Sequence, residues 1–325
     1  MAKIYYTKEL NKKYLKELKK QLSEQFRQAK IVAVKIHFGE PGNKTAFTPE
    51  QVKPFIDILK ELDKDFFMFD SPVGYNSPRN TVEGYEKIAK EKGWDKLGKV
   101  VISNDFVEVE GPTLTYQVCK PLADADAVLV LTHFKGHGCA GFGGCIKNLG
   151  MGALTKETKS AIHDGAKAVY NGGCTQCKAC EKACPMDFIK VTDKPEFSNC
   201  FGCSNCAYAC PVQAITPKKE YFDILLAEGA SAAQSKFKKF FYVSVLKNIT
   251  KECDCKANPS GIIAKDIGYM FGKDGVAIDK ASYDLVLKSE GKDVFLHKNK
   301  KTGLQHVEAA EKLGMGKTEY EIVKL

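Results

Sequence analysis

Arginine is almost absent from this sequence: only Arg27 and Arg79 among its 49 basic residues are arginines, and the others are lysines. The formal net charge of +9 would by itself suggest a nucleic-acid partner. Proteins that read DNA specifically, however, rely on the bidentate guanidinium group to contact bases and phosphates. We therefore expect no specific nucleic-acid binding and interpret the lysines, which stand beside glutamates along the chain, as a solvated surface.

Long apolar runs are lacking as well. The longest, at 127–131, has the length of a strand and is too short to cross a bilayer. The first twenty residues alternate charged and apolar side chains and contain no signal-peptide core. We therefore expect a cytoplasmic protein without a membrane span. With 325 residues, 44% of them hydrophobic, the chain can bury the core of one large domain or of two smaller units.

The cysteines are distributed unevenly. Thirteen are too few for a disulfide scaffold in a chain of this length, and eight of them fall between positions 174 and 210. These eight form two copies of the pattern Cys-x2-Cys-x2-Cys-x3-Cys-Pro, which is the spacing of bacterial two-cluster ferredoxins. In that arrangement the fourth cysteine of each copy serves the other cluster. The pattern predicts two [4Fe-4S] clusters, one on Cys174, Cys177, Cys180 and Cys210, and one on Cys200, Cys203, Cys206 and Cys184.

A pair of zinc knuckles is the alternative for this segment, because C-x2-C pairs also bind tetrahedral zinc. Zinc sites need neither the fourth cysteine followed by proline nor the duplication. The full pattern therefore favours iron–sulfur clusters.

Outside the cysteine-rich segment the hydrophobic pattern is that of an α/β protein. Strands are predicted at 31–38, 66–69, 100–103, 127–132 and 241–245. Helices are predicted after the capping box at 48–51, at 81–92, at 221–233, after an N-cap at Asp279, and at 304–313. We predict a discontinuous, doubly wound, mainly parallel α/β domain formed by 1–170 and 217–325, with a small α+β two-cluster ferredoxin-like module, 171–216, inserted into it.

A glycine-rich stretch follows the buried strand at 127–132, at the position where open α/β sheets bind ligands. It contains a G-x-G-x-x-G match at 136–141, but more glycine follows instead of a helix, so nucleotide binding is not favoured. Histidine and lysine side chains serve as bases, covalent anchors or ligands. We predict His137 and Lys147 as catalytic residues. The predicted cofactor-binding residues are His133, Lys135, Gly141, Gly143, Gly144, Asn148 and His163. The alternative is a structural turn whose polar side chains only pack.

Cys253 and Cys255 flank a single aspartate. On a strand, side chains at i and i+2 share one face. With Cys139 or Cys145 they would complete a third metal site; two buried thiols without a ligand are the alternative.

Two stretches, HFKGHGCAGFGGCIKNLGMG and CDC with DIGYMFGKDGVAIDKASYDL, flank the cysteine-rich segment. Together they closely resemble the uncharacterised Fe-S center proteins that carry the domain of unknown function 362. The resemblance covers nearly the whole chain and implies two [4Fe-4S] clusters and a redox role.

His137-x3-Gly141-Phe-Gly-Gly144-x2-Lys147, followed by His163, also resembles a stretch of the nickel-pincer lactate racemases. The resemblance implies that His137 exchanges a substrate proton, Lys147 tethers a pincer nucleotide and His163 binds nickel. The racemases' second catalytic histidine has no counterpart here, so racemisation is not implied. The resemblance does imply a further metal or an organic cofactor in the His137/Lys147/His163 region.

Two classes of function follow. In the first, an iron–sulfur oxidoreductase carries electrons between its clusters and a small-molecule substrate or cofactor bound near His137 and Lys147. In the second, a non-catalytic adaptor presents a ferredoxin module to a redox partner protein. Gathered histidine and lysine side chains favour the first class, because an adaptor would not need them.

Overall fold

An eight-stranded sheet organises the structure, a computed structural model that describes residues 1–325. The strands are β1 (Ala2–Thr7), β2 (Ile31–Lys35), β3 (Asp65–Asp70), β4 (Lys99–Ile102), β5 (Phe106–Glu110), β6 (Thr115–Cys119), β7 (Ala127–His133), β8 (Lys135–His137), β9 (Gly141–Gly143), β10 (Ala168–Tyr170), β11 (Ile189–Val191), β12 (Pro195–Phe197), β13 (Ile215–Pro217), β14 (Phe240–Leu246), β15 (Gly268–Gly272) and β16 (Tyr320–Lys324).

The helices are α1 (Lys12–Gln25), α2 (Pro49–Glu61), α3 (Val82–Glu91), α4 (Lys120–Asp124), α5 (Cys145–Gly152), α6 (Lys156–Gly165), α7 (Ala179–Ala183), α8 (Asn205–Ala209), α9 (Phe222–Ser235), α10 (Gly275–Glu290), α11 (Val294–Asn299) and α12 (Leu304–Lys312). Short 3-10 turns lie at Pro78–Asn80 and Trp94–Lys96. No helix has the length and apolar character needed to span a membrane.

The strand order in the main sheet is β16-β1-β15-β14-β7-β2-β3-β4. Only β15 runs antiparallel to its neighbours, β1 and β14. The remaining neighbouring strands pair in parallel. The predicted mainly parallel α/β sheet is therefore confirmed. Its strands come from both sides of the cysteine-rich segment (171–216): β14, β15 and β16 follow that segment, and the others precede it.

The central strand β7 is buried on both faces, which explains its continuous apolar sequence. Val128 and Val130 belong to the larger hydrophobic core, with α5, α9 and α10. Leu129 and Leu131 belong to the core on the other face, with α1 and α2. Side chains alternate along a strand, so adjacent residues of β7 enter different cores.

Local capping signals were predictive at one helix and misleading at another. The capping box of α2 is present: Thr48 accepts the N–H of Gln51, whose side chain accepts the N–H of Thr48. The predicted N-cap at Asp279 is wrong, because α10 begins earlier and is capped by Asp274. Asp279 instead lies on the buried face of α10.

The cysteine-rich segment forms its own small unit of structure. β11 and β12 pair as a hairpin, α7 contacts α8, and β10 pairs with β13 where the chain enters and leaves the segment. A separate hydrophobic cluster holds it together, consisting of Cys180, Cys184, Ile189, Val191, Cys206, Ala207 and Ile215.

Candidate functional site

A cavity of about 630 Å³ lies between the carboxyl end of the main sheet and the cysteine-rich segment. Lys35 ends β2, Asp70 ends β3 and His133 ends β7, and all three line the cavity. Its opposite wall includes Cys200 and Cys203. The site thus occupies the crevice where strands of an open α/β sheet commonly bind ligands.

The glycine-rich stretch is a hairpin, β8–β9, that leads directly into α5. His137 ends β8, and Lys147 lies in the first turn of α5. Gly144, just before α5, approaches the carboxylate of Asp279 so closely that a Cβ atom there would lie 2.2 Å from Oδ1. That carboxylate accepts the N–H groups of Cys145, at 2.6 Å, and of Ile146, at 2.9 Å. Asp279 therefore caps the helix that presents Lys147.

His137 is a neutral imidazole held in one orientation. Burial, followed by the charges of Lys147 and His163, lowers its pKa well below the ordinary value. Its Nδ1 accepts the backbone N–H groups of Ala140, at 3.1 Å, and Cys139, at 3.3 Å. In the neutral ring these contacts assign the proton to Nε2. His137 is therefore suited to donate a hydrogen bond from Nε2.

Lys147 has no carboxylate partner. The only hydrogen bond of its ammonium group goes to Sγ of Cys253, at 3.8 Å. Burial, and then the neighbouring charge of Lys35, lowers the pKa of Lys147 to about 8. Lys147 is therefore mostly an ammonium group at pH 7, with about a tenth as the free amine, the form that acts as a base or nucleophile.

His163 reaches the same cavity from α6. Its Nδ1 faces the carbonyl oxygen of Phe201 at 2.8 Å, and burial lowers its pKa. The contact connects α6 to the cysteine-rich segment. His137, Lys147 and His163, which come from β8, α5 and α6, therefore line one cavity.

Three other polar residues predicted to bind a cofactor have their polar atoms engaged within the protein. His133 contacts Asp254 through Nδ1 and the carbonyl of Lys247 through Nε2, both at 2.8 Å. Lys135 is not on the cavity wall; it contacts Asp254 at 2.8 Å and donates to the carbonyl of Thr45. Asn148 lines the cavity, but it accepts from Lys35 and donates to β7.

Of the three glycines predicted to bind a cofactor, two lie on the cavity wall and one does not. Gly143 and Gly144 line the cavity. Gly141 lies away from it, at φ +75°, where a Cβ atom would be 2.4 Å from the backbone nitrogen of Gly303. Gly141 is needed for close backbone packing and not for a ligand.

Sequence reasoning missed the polar residues at the ends of the other sheet strands. Lys35 and Asp70 form a buried ion pair at 3.1 Å. Burial raises the pKa of Asp70, but the charges of Lys35, His37 and Lys159 outweigh this effect and lower the pKa to about 2. Arg79 is fully buried and contacts Glu40 and His37. The carboxyl-end rule that selected the turn after β7 would also have selected Lys35 and Asp70, had it been applied to β2 and β3.

Lys159, on α6, is a second buried lysine without a carboxylate partner. Its ammonium group donates to Ser71 and to the carbonyl of Pro72, at 2.7 Å. Burial lowers its pKa to about 8. Together with Lys147, it gives the cavity wall an excess of basic groups.

The eight clustered cysteines fall into two spatial groups. One small cavity is lined by Cys174, Cys177, Cys180 and Cys210, which we call the outer group. The large cavity is lined by Cys184, Cys200, Cys203 and Cys206, which we call the inner group. Each group thus takes three cysteines from one copy of the pattern and the fourth from the other.

Thiol electrostatics follow the same grouping. Burial, and then the neighbouring thiols of Cys203, Cys200 and Cys184, raise the pKa of Cys206 to about 12. Burial likewise raises the pKa of Cys180, whose neighbouring thiols are Cys174 and Cys210. Each group therefore brings together sulfur atoms that would repel one another as thiolates and that a bound cation would stabilise.

The two copies of the pattern also repeat their backbone conformation. Positive φ angles occur at 176 and 202, at 178 and 204, and at 187 and 213. Backbone N–H groups point at the equivalent sulfurs: Gln176 donates to Cys174 and Gly202 to Cys200, both at 3.4 Å. The same holds after the last cysteine of each copy, where Phe188 donates to Cys184 and Ala214 to Cys210. N–H···S contacts of this kind tune iron–sulfur clusters.

Cys253 and Cys255 lie in the connection between β14 and β15 and not on a strand. They are joined by a disulfide and line the large cavity. A ring nitrogen of His137 and the two sulfur atoms lie within 4.8 Å of one another. Neither Cys139 nor Cys145 belongs to this group, so the predicted third site with either of them is wrong.

Comparisons with known proteins place the fold but not the reaction. No curated protein matches the chain. A crystal structure of a protein from Thermotoga maritima has a TM-score of 0.51 at 14% identity, over 89% of this chain and 61% of that one. Lactate racemase apoprotein from Thermoanaerobacterium thermosaccharolyticum has a TM-score of 0.45 at 10% identity, over 86% of this chain and 56% of the racemase. The chain thus spans about 60% of the length of these proteins. Residues 32–284 match the family model described as "Domain of unknown function (DUF362)", and the chain belongs to that family.

Proposed function

We propose that this protein is an iron–sulfur oxidoreductase. The cysteine-rich segment binds two [4Fe-4S] clusters, one on the outer and one on the inner cysteine group, and electrons pass to or from a substrate or cofactor held beside His137 and Lys147. One observation carries the proposal: the inner cysteines share a single cavity with His137, Lys147 and His163. An adaptor without chemistry of its own would not need these residues around a cavity.

The donor sets fit the proposed clusters. Each group offers four sulfur atoms, and N–H groups from the neighbouring backbone point at sulfurs in both. Four thiolates and hydrogen bonds to sulfur are the features by which proteins hold such clusters and set their potentials. When bound, the clusters would supply one-electron transfer.

The exposure of the two groups suggests a direction for electron flow. Cys177 of the outer group is exposed, whereas the inner group faces the cavity. An external redox partner would exchange electrons with the outer cluster, and the inner cluster would exchange them with the cavity. The ammonium groups of Lys147 and Lys159, which have no carboxylate partner, favour a substrate or cofactor that carries negative charge.

Metal analysis of protein purified without oxygen tests this function. We expect about 8 iron atoms and matching sulfide per chain, which is the content of two [4Fe-4S] clusters. Cys177→Ala and Cys203→Ala should each lose about half of the iron, and each should abolish a different electron paramagnetic resonance signal of the reduced protein. Cys119→Ala is the matched control, because Cys119 is buried beside Ser103, away from both groups. Zinc without iron would contradict the proposal.

A further inference from the structure

Cys253 and Cys255 are held in the cavity by the residue between them. Asp254 is buried, and its carboxylate contacts His133 and Lys135, both at 2.8 Å. Its carbonyl accepts the N–H of Glu40 at 2.9 Å. The residue between the two cysteines is thus fixed to the sheet.

The disulfide has both a cation and a proton donor beside it. Lys147 donates to Sγ of Cys253 at 3.8 Å, and the His137 ring lies beside both sulfurs. A cation next to a cysteine stabilises the thiolate that forms when a disulfide is reduced. Cys253 is therefore the sulfur on which negative charge would develop first.

A metal ion is the competing interpretation, because two cysteines and a histidine form a common zinc-ligand set. Two features disfavour it. The sulfurs are bonded to each other. The Nδ1 atom of His137 accepts two backbone N–H groups, whereas a metal-bound imidazole normally donates from its second nitrogen.

Resting on the proposed function, we propose that Cys253 and Cys255 form a redox-active disulfide that exchanges two electrons between the cluster proposed on the inner cysteine group and a molecule in the cavity. On reduction the sulfur–sulfur bond breaks, and the disulfide takes up two electrons and one proton to give the Cys253 thiolate, beside the Lys147 ammonium group, and the Cys255 thiol. The electrons come from an external one-electron donor of low potential, such as a reduced ferredoxin, in two single steps. When the disulfide re-forms, both electrons and that proton pass to an oxidised substrate. The substrate in the cavity is therefore reduced by two electrons.

Thiol mapping tests this inference without a known substrate. Anaerobic protein is treated with reduced methyl viologen, quenched with an alkylating reagent and analysed by peptide mass spectrometry. We expect Cys253 and Cys255 to be disulfide-linked before reduction and alkylated after it. In Cys203→Ala, which disrupts the inner group, alkylation of both cysteines should be lost under the same donor, while excess dithiothreitol should still reduce them.

A second readout concerns Lys147. In Lys147→Met the midpoint potential of the disulfide, measured in dithiothreitol buffers, should shift to a more negative value, because the thiolate loses its cation. Methionine has a similar length to lysine but carries no charge, so this substitution leaves both cysteines in place.

These measurements distinguish a failure of the disulfide inference from a failure of the proposed function. Iron that becomes reduced while the disulfide persists would overturn the inference and leave the proposed function intact. Free thiols that hold a chelatable metal before any reduction would also overturn it. Protein without iron would overturn the proposed function, and with it the source of electrons inferred for the disulfide.

Discussion

The carboxylate of Asp279 accepts the backbone N–H of Cys145 at 2.6 Å, across 134 positions of the sequence. This contact fixes the start of α5, and thereby Lys147, to helix α10. Burial raises the pKa of Asp279 to about 7, and the N–H groups of Ile146 and Cys145 oppose that rise. The cavity wall thus depends on a buried carboxylate from a distant part of the chain.

Gly144→Ala should displace this cap. The added Cβ would lie 2.2 Å from Oδ1 of Asp279, so either the carboxylate or α5 must move. We expect a loss of roughly 1 to 3 kcal/mol in the free energy of unfolding, as for overpacked cores. Urea unfolding measures it. Gly138→Ala is the matched control, because a Cβ there meets nothing within 4 Å and should leave the urea midpoint unchanged. Equal midpoints for the two variants would contradict the packing argument.

The elements that could be predicted are those with local signals. The continuous apolar run of β7 reflects burial on both faces, and the Thr48 capping box uses residues three apart. The cysteine spacing similarly anticipates which sulfurs lie together, because the repeat sets the local turn geometry.

The partners of the site residues could not be predicted in this way. His133 and Lys135 look like ligands in the sequence, yet both contact Asp254, which follows more than a hundred residues later. Asp279 resembles an N-cap of its own helix but caps α5. A polar residue's role depends on which distant strand or helix packs beside it, and periodicity contains no information about that.

Lys147 should make stability depend on pH in a specific window. Its pKa is lowered to about 8 in the fold from 10.5, so between these values the unfolded chain binds more protons and stability rises with pH. Lys147→Met should therefore be more stable than the parent at pH 7, by roughly 1 to 3 kcal/mol after allowance for partial exposure. The advantage should shrink towards pH 10. Urea midpoints of both proteins across this range measure it, with exposed Lys20→Met as control. A difference independent of pH would refute the assignment.

Lys301 and Asp223, which both lie outside the cysteine-rich segment, form a buried ion pair at 2.5 Å, and Lys301 also reaches into that segment. The same ammonium group donates to the carbonyls of Cys139 and Cys203. Lys301→Met leaves the Asp223 carboxylate buried and unpaired, at a cost of about 3 to 5 kcal/mol.

Limited proteolysis of Lys301→Met should show faster cleavage within 171–216, and adding Asp223→Leu should recover part of the lost stability. Lys238→Met is the control, because its pair with Asp126 is exposed and should cost less than about 1 kcal/mol. Similar losses for Lys301→Met and Lys238→Met would show that the contacts of Lys301 do not anchor the segment.

The two proposed clusters should differ in their resistance to oxidants. Cys177 of the outer group is exposed, whereas the inner group is covered by contacts such as that from Lys300 to the carbonyl of Cys184 at 2.6 Å. Ferricyanide should therefore remove about half of the iron in a fast phase and the rest slowly, because solvent exposure governs access to a cluster. Cys177→Ala, which keeps only the inner cluster, should show only the slow phase, and Cys203→Ala only the fast one. Identical rates in these two variants would mean that the covering contacts do not shield the inner group and that the assigned direction of electron flow is wrong.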